Sequence, residues 1–435
     1  VKTFNKVVIV FSAFFIIVGF SIQSAWAISS PEPQSGGRFF SGKGTKSSAV
    51  YSYENSVDDT YMQKSDARSS FDEHHYGKGL NLGILHVEPS LGYTGEWDSN
   101  IFLEEKNTDG DYINRLTGGL DAYLPMLDGK YLLFAGVQSR SEWFVDHSNE
   151  SHTDWSYQAG GEINFNAFQI KVDDVFKDTT DRSDSELTQR VKRYENILKG
   201  LVTVPFGRFF SETEVNDHII HFREAGFDQF NLNAFSIYPR LGFDVGPRTQ
   251  ALVEYGYYHA HYENLSDRDG DAHQGQVGLR GFLGSGDLVS YQLWGGWQFR
   301  NYDNGSLAGF SSFVGHGELV YNPTELSQFI LRGARRPEES LSANQTFYTR
   351  NEVSLRYRRQ VAQQWFVNAQ GGVGLNHYPN NRIDFIWEPG AGVEYVLPGN
   401  IMALFTEYRF SQRLSDVSGS DYNRHLIDFG IKAEV

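Results

Sequence analysis

The chain has 435 residues, a net charge of −16, 15% aromatic residues, 44 glycines and no cysteine. The absence of cysteine excludes a disulfide framework, a thiolate metal site, a cysteine nucleophile and a lipid-modified cysteine anchor. The acidic balance argues against nucleic acid as a partner.

The first residues read as an export signal. Lys2 and Lys6 precede an apolar run from Val7 to Ile22, and Ala25-Trp26-Ala27 fits a small-x-small cleavage pattern. The expected organisation is a signal peptide at 1–27, a flexible periplasmic segment at 28–80 and a barrel at 81–435. The middle segment is rich in Ser, Gly and Pro (SSPEPQSGG, SGKGTKSS) and lacks periodicity. No later run is apolar for the length of a membrane helix. Mean hydropathy is −0.44, but such a scan is blind to strands that are apolar on one face only.

From about Ile84 the pattern has period two. VEPSLGYTGEWDSNIF places Val87, Pro89, Leu91, Tyr93 and Trp97 on one face and then enters a polar turn. The same alternation returns at Tyr131–Val137, at Val289–Phe299 and at Ile383–Tyr395, as half-buried strands require. Connections alternate between short turns (125–129, 205–207, 244–248, 284–287, 322–325, 398–400) and longer polar stretches (98–111, 176–189, 264–271, 337–345, 415–421). This is the loop asymmetry of an outer-membrane barrel. The expected fold is all-β, a transmembrane antiparallel up-and-down barrel of about 18 strands from 84–97 to 422–435. Because 165–228 is the least regular stretch, 16 strands is the alternative. The chain ends HLIDFGIKAEV, similar to the C-terminal strand by which such barrels are recognised for assembly. Val435 stands where an aromatic is usual.

If the apolar face meets lipid, mid-strand charges point into the lumen, since Arg or Lys on the lipid face costs ~2–4 kcal/mol at the midplane. The lumen candidates are Arg332, Arg336, Arg350, Glu352, Arg356 and Arg358, with Arg280, Arg300, Glu407 and Arg409. Arginines on two adjacent strands form either a patch that attracts anions or one side of a network of Arg–carboxylate pairs that holds the wall. Trp294 and Tyr258 are candidates for stacking on sugar rings, or for lumen packing.

Other motifs carry less. GRFFSGKG at 37–44 has Gly44 where a phosphate-binding loop needs Ser or Thr. DRDGD at 267–271 and NTDGD at 107–111 lack the glycine position and terminal glutamate of an EF-hand. His259 and His261 share a strand face without an evident third metal ligand. No GxSxG nucleophile elbow occurs. No catalytic residue, metal or cofactor is expected.

Pro89, Tyr93, Asp98, Asn100, Ile101 and Phe102, followed by DYINRLTGGLDAYLP, resemble the first strands and loop of the β-barrel porin type 2 family. The sharp resemblance covers about 40 residues. It implies an outer-membrane barrel of a Gram-negative bacterium, non-enzymatic, that accompanies exopolysaccharide or capsule systems. Its implied partners are outer-membrane lipid, periplasmic export machinery and a polysaccharide. A general or nutrient-uptake porin for small solutes, and an outer-membrane barrel enzyme, are the alternatives.

Overall fold

The computed structural model describes residues 79–435 apart from 128–129, 166, 183–185, 187, 284–287, 343–344, 399–400 and 435. The export signal and nearly all of the 28–80 segment lie outside the described residues. A three-residue strand, β1 (Leu80–Leu82), turns through Gly83 and pairs with the start of the first barrel strand. The barrel strands are β2 (Leu85–Asp98), β3 (Asp111–Met126), β4 (Tyr131–Phe144), β5 (His152–Phe165), β6 (Phe168–Thr179), β7 (Arg193–Phe206), β8 (Phe209–Phe222), β9 (Leu232–Gly246), β10 (Thr249–Tyr262), β11 (Gly270–Leu283), β12 (Val289–Tyr302), β13 (Phe310–Thr324), β14 (Ser327–Glu339), β15 (Phe347–Ala362), β16 (Trp365–His377), β17 (Ile383–Val396), β18 (Met402–Ser415) and β19 (Tyr422–Glu434).

Each strand pairs antiparallel with the next, and β19 pairs back onto β2 from Leu426↔Asp98 to Glu434↔Ser90. The eighteen strands β2–β19 therefore close, which leaves no edge between them. Closure excludes the 16-strand alternative, and 165–228 resolves into β6, β7 and β8. The strand boundaries differ from the sequence expectation at a few ends. β7 begins at Arg193 rather than 190; Arg190, before the strand, lies over the Phe144 ring, 5.0 Å from its centroid. β14 continues through Glu339, beyond the expected loop start at 337, because Arg336, Pro337, Glu338 and Glu339 stay in register with β15.

The two faces differ as the alternation demands. Leu91, Tyr93, Trp97, Val253, Val277, Val353 and Leu355 are exposed on the outer wall. Their neighbours in sequence point inward and are mostly polar or glycine, with Leu252 an apolar exception. An outer wall of this kind is stable only against lipid, where closed hydrogen bonding of the backbone is also required. Short turns join the strands at one end; Gly207 takes φ 74° in the two-residue turn before β8. At the other end nine connections, L1–L9, follow β2, β4, β6, β8, β10, β12, β14, β16 and β18. By the convention of such barrels L1–L9 face outward from the cell and the short turns face the periplasm.

Candidate functional site

The lumen wall is built from the inward positions of the strands. Most of their charges meet a partner on an adjacent or nearby strand. Arg115 lies between Glu142 (2.7 Å) and Glu96 (3.4 Å). Arg240 contacts Glu254 (2.6 Å) and Glu214 (2.8 Å), Arg409 contacts Asp428 (2.6 Å), and Arg424 contacts Asp98 (2.7 Å). These guanidinium groups are buried, so their pairing and hydrogen bonding are what make them tolerable there.

The sequence-derived charge candidates all occupy inward register positions, but they are not one cluster. Arg280 is committed to Glu212 at 2.6 Å. Arg300, near the outer end, bonds Glu339. Glu407 takes Gln370 Nε2 at 3.2 Å and lies 3.6 Å from Arg409. Arg358 sits over the Phe366 ring, 4.1 Å from its centroid, and 4.0 Å from Glu394. Arg356 neighbours them on β15. The remaining candidates converge on β13–β15. Arg332 Nε donates to Glu318 at 2.5 Å, and both Arg336 (2.5 Å) and Arg350 (2.6 Å) donate to Glu352. Here all but Arg350 are partly exposed: Glu318 is 31% exposed, Glu352 27%, Arg332 24% and Arg336 20%, whereas Arg350 is 8% exposed. The corresponding figures are 1% for Arg115 and 5% for Arg409. The β13–β15 strip is thus a stretch of wall where charge and solvent meet.

Trp294 and Tyr258 also face inward, but their surfaces are occupied. Trp294 is 8% exposed, packed with Phe210 and Leu252, stacked on His316 and lying under Arg240. Tyr258 donates its hydroxyl to Glu339 at 2.8 Å, with Arg300 over its ring. Neither ring offers a free face to a sugar. His259 and His261 face outward near the rim, and each Nδ1 meets a different carboxylate, Asp271 at 3.0 Å and Asp269 at 2.7 Å.

The outer mouth holds residues that sequence reasoning missed. L1 folds into the barrel: Ile101 is fully buried against the inward Ile113 and Phe144. The motif residues at the start of L1 explain this. Asp98 accepts the Asn100 N–H at 2.9 Å and pairs with Arg424. The Asn100 amide donates to the carbonyls of Glu104 and Asn423 and accepts the Glu104 N–H. Phe102 meets His147 edge-on at 5.4 Å. From L3, Arg182 (2.7 Å) and Arg190 (3.3 Å) donate to the Ile101 carbonyl. L3 then reaches L7, where the Glu186 carboxylate accepts Leu341 N–H at 2.7 Å and Ser340 Oγ–H at 2.9 Å. Val191, Phe230 and Leu341 bring L3, L4 and L7 into one apolar cluster. Arg268 of the DRDGD stretch donates to the carbonyls of Ser340, Ser342 and Gln345, so this stretch binds L7 rather than forming an isolated turn. At the base of L3, burial disfavours the charged form of Asp181, but Arg140 at 2.5 Å outweighs this and holds the carboxyl below its usual range.

A closed wall that is apolar outside and charge-lined inside, with loops folded over one mouth, defines an outer-membrane β-barrel porin. Residues 76–435 match the family described as "Putative beta-barrel porin 2", and the chain belongs to that family. Comparison with curated proteins finds no match. Among solved structures the chain is similar to Pseudomonas aeruginosa OccK2 (OpdF) in complex with glucuronate, at 12% identity and a TM-score of 0.48, covering 80% of this chain and 98% of that one. It is similar to Pseudomonas aeruginosa OpdK with vanillate, at 11% identity and a TM-score of 0.46, covering 80% and 99%. A third is a bacterial polysaccharide outer membrane secretin, at 10% identity and a TM-score of 0.37, covering 80% and 98%.

Proposed function

We propose that this porin is a non-enzymatic diffusion pore for small polar solutes. The observation that carries the reading is the crossing of the outer mouth by L1, L3 and L7, held by the Arg182–Ile101 and Glu186–Ser340 contacts. A small solute can pass beside such a crossing, whereas a polymer strand would have to displace it. The partly exposed charges of β13–β15 support a wetted path past that wall. Reconstituted into liposomes, the full chain is expected to admit sugars up to a sharp size limit; equal rates for monosaccharides and long oligosaccharides would overturn the reading.

The second reading is export or surface handling of an extracellular polysaccharide, with periplasmic export machinery as partner. The resemblance of Pro89, Tyr93, Asp98, Asn100, Ile101 and Phe102 to a family that accompanies such systems favours it. Deletion of the gene separates the two: loss of surface polymer supports the second reading, and unchanged polymer with reduced solute uptake supports the first.

A further inference from the structure

The β13–β15 strip carries a second feature, which rests on the pore reading above. Arg336 on β14 and Arg350 on β15 are register partners. Both spend a donor on the same carboxylate, Glu352, through Oε1 and Oε2 respectively. Glu338 is buried and accepts the Tyr348 hydroxyl at Oε2; its Oε1 lies 3.3 Å from Arg336 Nη2 and 3.9 Å from Arg350 Nε without a hydrogen bond to either. Two guanidinium forks thus share one main acceptor. As a result Arg336 Nε and Arg350 Nη1 are buried N–H donors without a hydrogen-bond partner among the described residues. Orphaned donors on paired cations are costly unless water or a ligand completes them.

We infer that Arg336 and Arg350 form an anion subsite in the lumen wall, and that it takes the carboxylate of a small solute. The planar carboxylate matches the guanidinium fork, and two forks in register offer it donors from both sides. Glu352, which is partly exposed, is the group that the solute carboxylate competes with and displaces towards solvent. The subsite therefore favours small organic acids over neutral molecules of the same size. Release stays fast because Glu352 returns to its place.

Single-channel recording of the full chain in planar bilayers tests this with benzoate and its neutral isostere benzamide as probes. Benzoate is expected to produce brief current blockades that benzamide does not. Arg350→Gln and Arg336→Gln should each weaken benzoate about tenfold, the scale of one charge-assisted hydrogen bond. Arg350→Lys should restore only part of this, because the ammonium keeps the charge but not the fork. Equal blockade by the two probes, unchanged benzoate binding in both Gln variants, or full rescue by Lys would overturn the subsite. Heat-modifiable migration on gels identifies a variant that has not folded, and the Lys variant and the other Gln variant then carry the test. A wild-type chain without conductance would sink the pore reading, whereas conductance without benzoate blockades would sink only the subsite.

Discussion

Glu186 and Ser340 meet across the outer mouth, with the Ser340 hydroxyl 2.9 Å from the Glu186 carboxylate. Their loops follow β6 and β14, eight strands apart in a ring of eighteen, so the contact bridges nearly opposite walls. If this bridge limits passage, fixing it should hold the mouth closed. The chain has no cysteine, so the double variant Glu186→Cys/Ser340→Cys carries a single possible bridge. Under oxidation its conductance is expected to fall below that of the wild type, and a reducing agent should raise it again. Conductance that ignores the redox state, in a variant shown to be cross-linked, would mean that the bridge does not limit the pore.

Wall charges should differ sharply in their contribution to stability according to their exposure. Arg115 is 1% exposed and lies between Glu96 and Glu142. Arg115→Met leaves both carboxylates facing a buried site without their shared cation, a loss of about 3–5 kcal/mol. Arg332 is 24% exposed, and its pair with Glu318 is hydrated, so Arg332→Gln should cost about 1 kcal/mol or less. Urea titrations of folding into lipid vesicles would measure both. Equal losses would show that the exposure of the two sites is not what sets their energetics.

The contrast also shows what was legible in the sequence. Period-two alternation points to about eighteen barrel strands, with 165–228 the least regular stretch, and gives the inward side where mid-strand charges alternate with apolar residues, because lipid on one face and water on the other act at every residue. Arg350 and Glu352 can therefore be assigned to the lumen from Val353 and Leu355 alone. Their partners cannot, since the pairing of Arg115 with Glu142, or of Arg424 with Asp98, depends on inter-strand register and closure. The mouth was still less legible. Ile101, Arg182, Glu186 and Arg268 lie in connections without periodicity, and their contacts span 72 residues or more of sequence. The one local signal was the stretch from Asp98 to Phe102, noticed as a family resemblance; its physical meaning is the anchoring of L1 inside the barrel. Trp294 and Tyr258 have inward parity, yet parity alone does not reveal that His316, Arg240 and Arg300 cover them.

Ion selectivity should follow the whole lumen as well as the strip. Over the inward positions of β2–β19 carboxylates outnumber cations, so the wild-type pore is expected to prefer cations weakly in a salt gradient. The arginines of β15 oppose this locally. Arg350→Gln/Arg356→Gln/Arg358→Gln removes three of them and should move the reversal potential further towards the cation value. An unchanged reversal potential would rule out a selectivity role for these arginines and leave them as wall-holding pairs.

Acid should loosen the base of L3. Asp181 is held below the usual carboxylate range because Arg140, 2.5 Å away, outweighs the effect of burial. Its folded value therefore lies below its unfolded one, near ~3.9. The contribution of the Asp181–Arg140 pair is then fully present above the unfolded value and is lost as pH falls through the folded value. Arg140 also meets Asp154 at 2.7 Å and Glu142 at 3.4 Å, and His152 lies beside both carboxylates, so the wild type alone does not isolate Asp181. Asp181→Asn does. It removes the charge at every pH while keeping the side-chain shape and an acceptor. Single-channel traces recorded from pH 7 down to pH 3 should show wild-type gating that becomes noisier only at the acid end. The Asn variant should be noisy throughout, so that the difference between the two shrinks as pH falls. A difference that grows on acidification would have the wrong sign for a depressed carboxyl, and would show that Asp181 does not anchor L3 through Arg140.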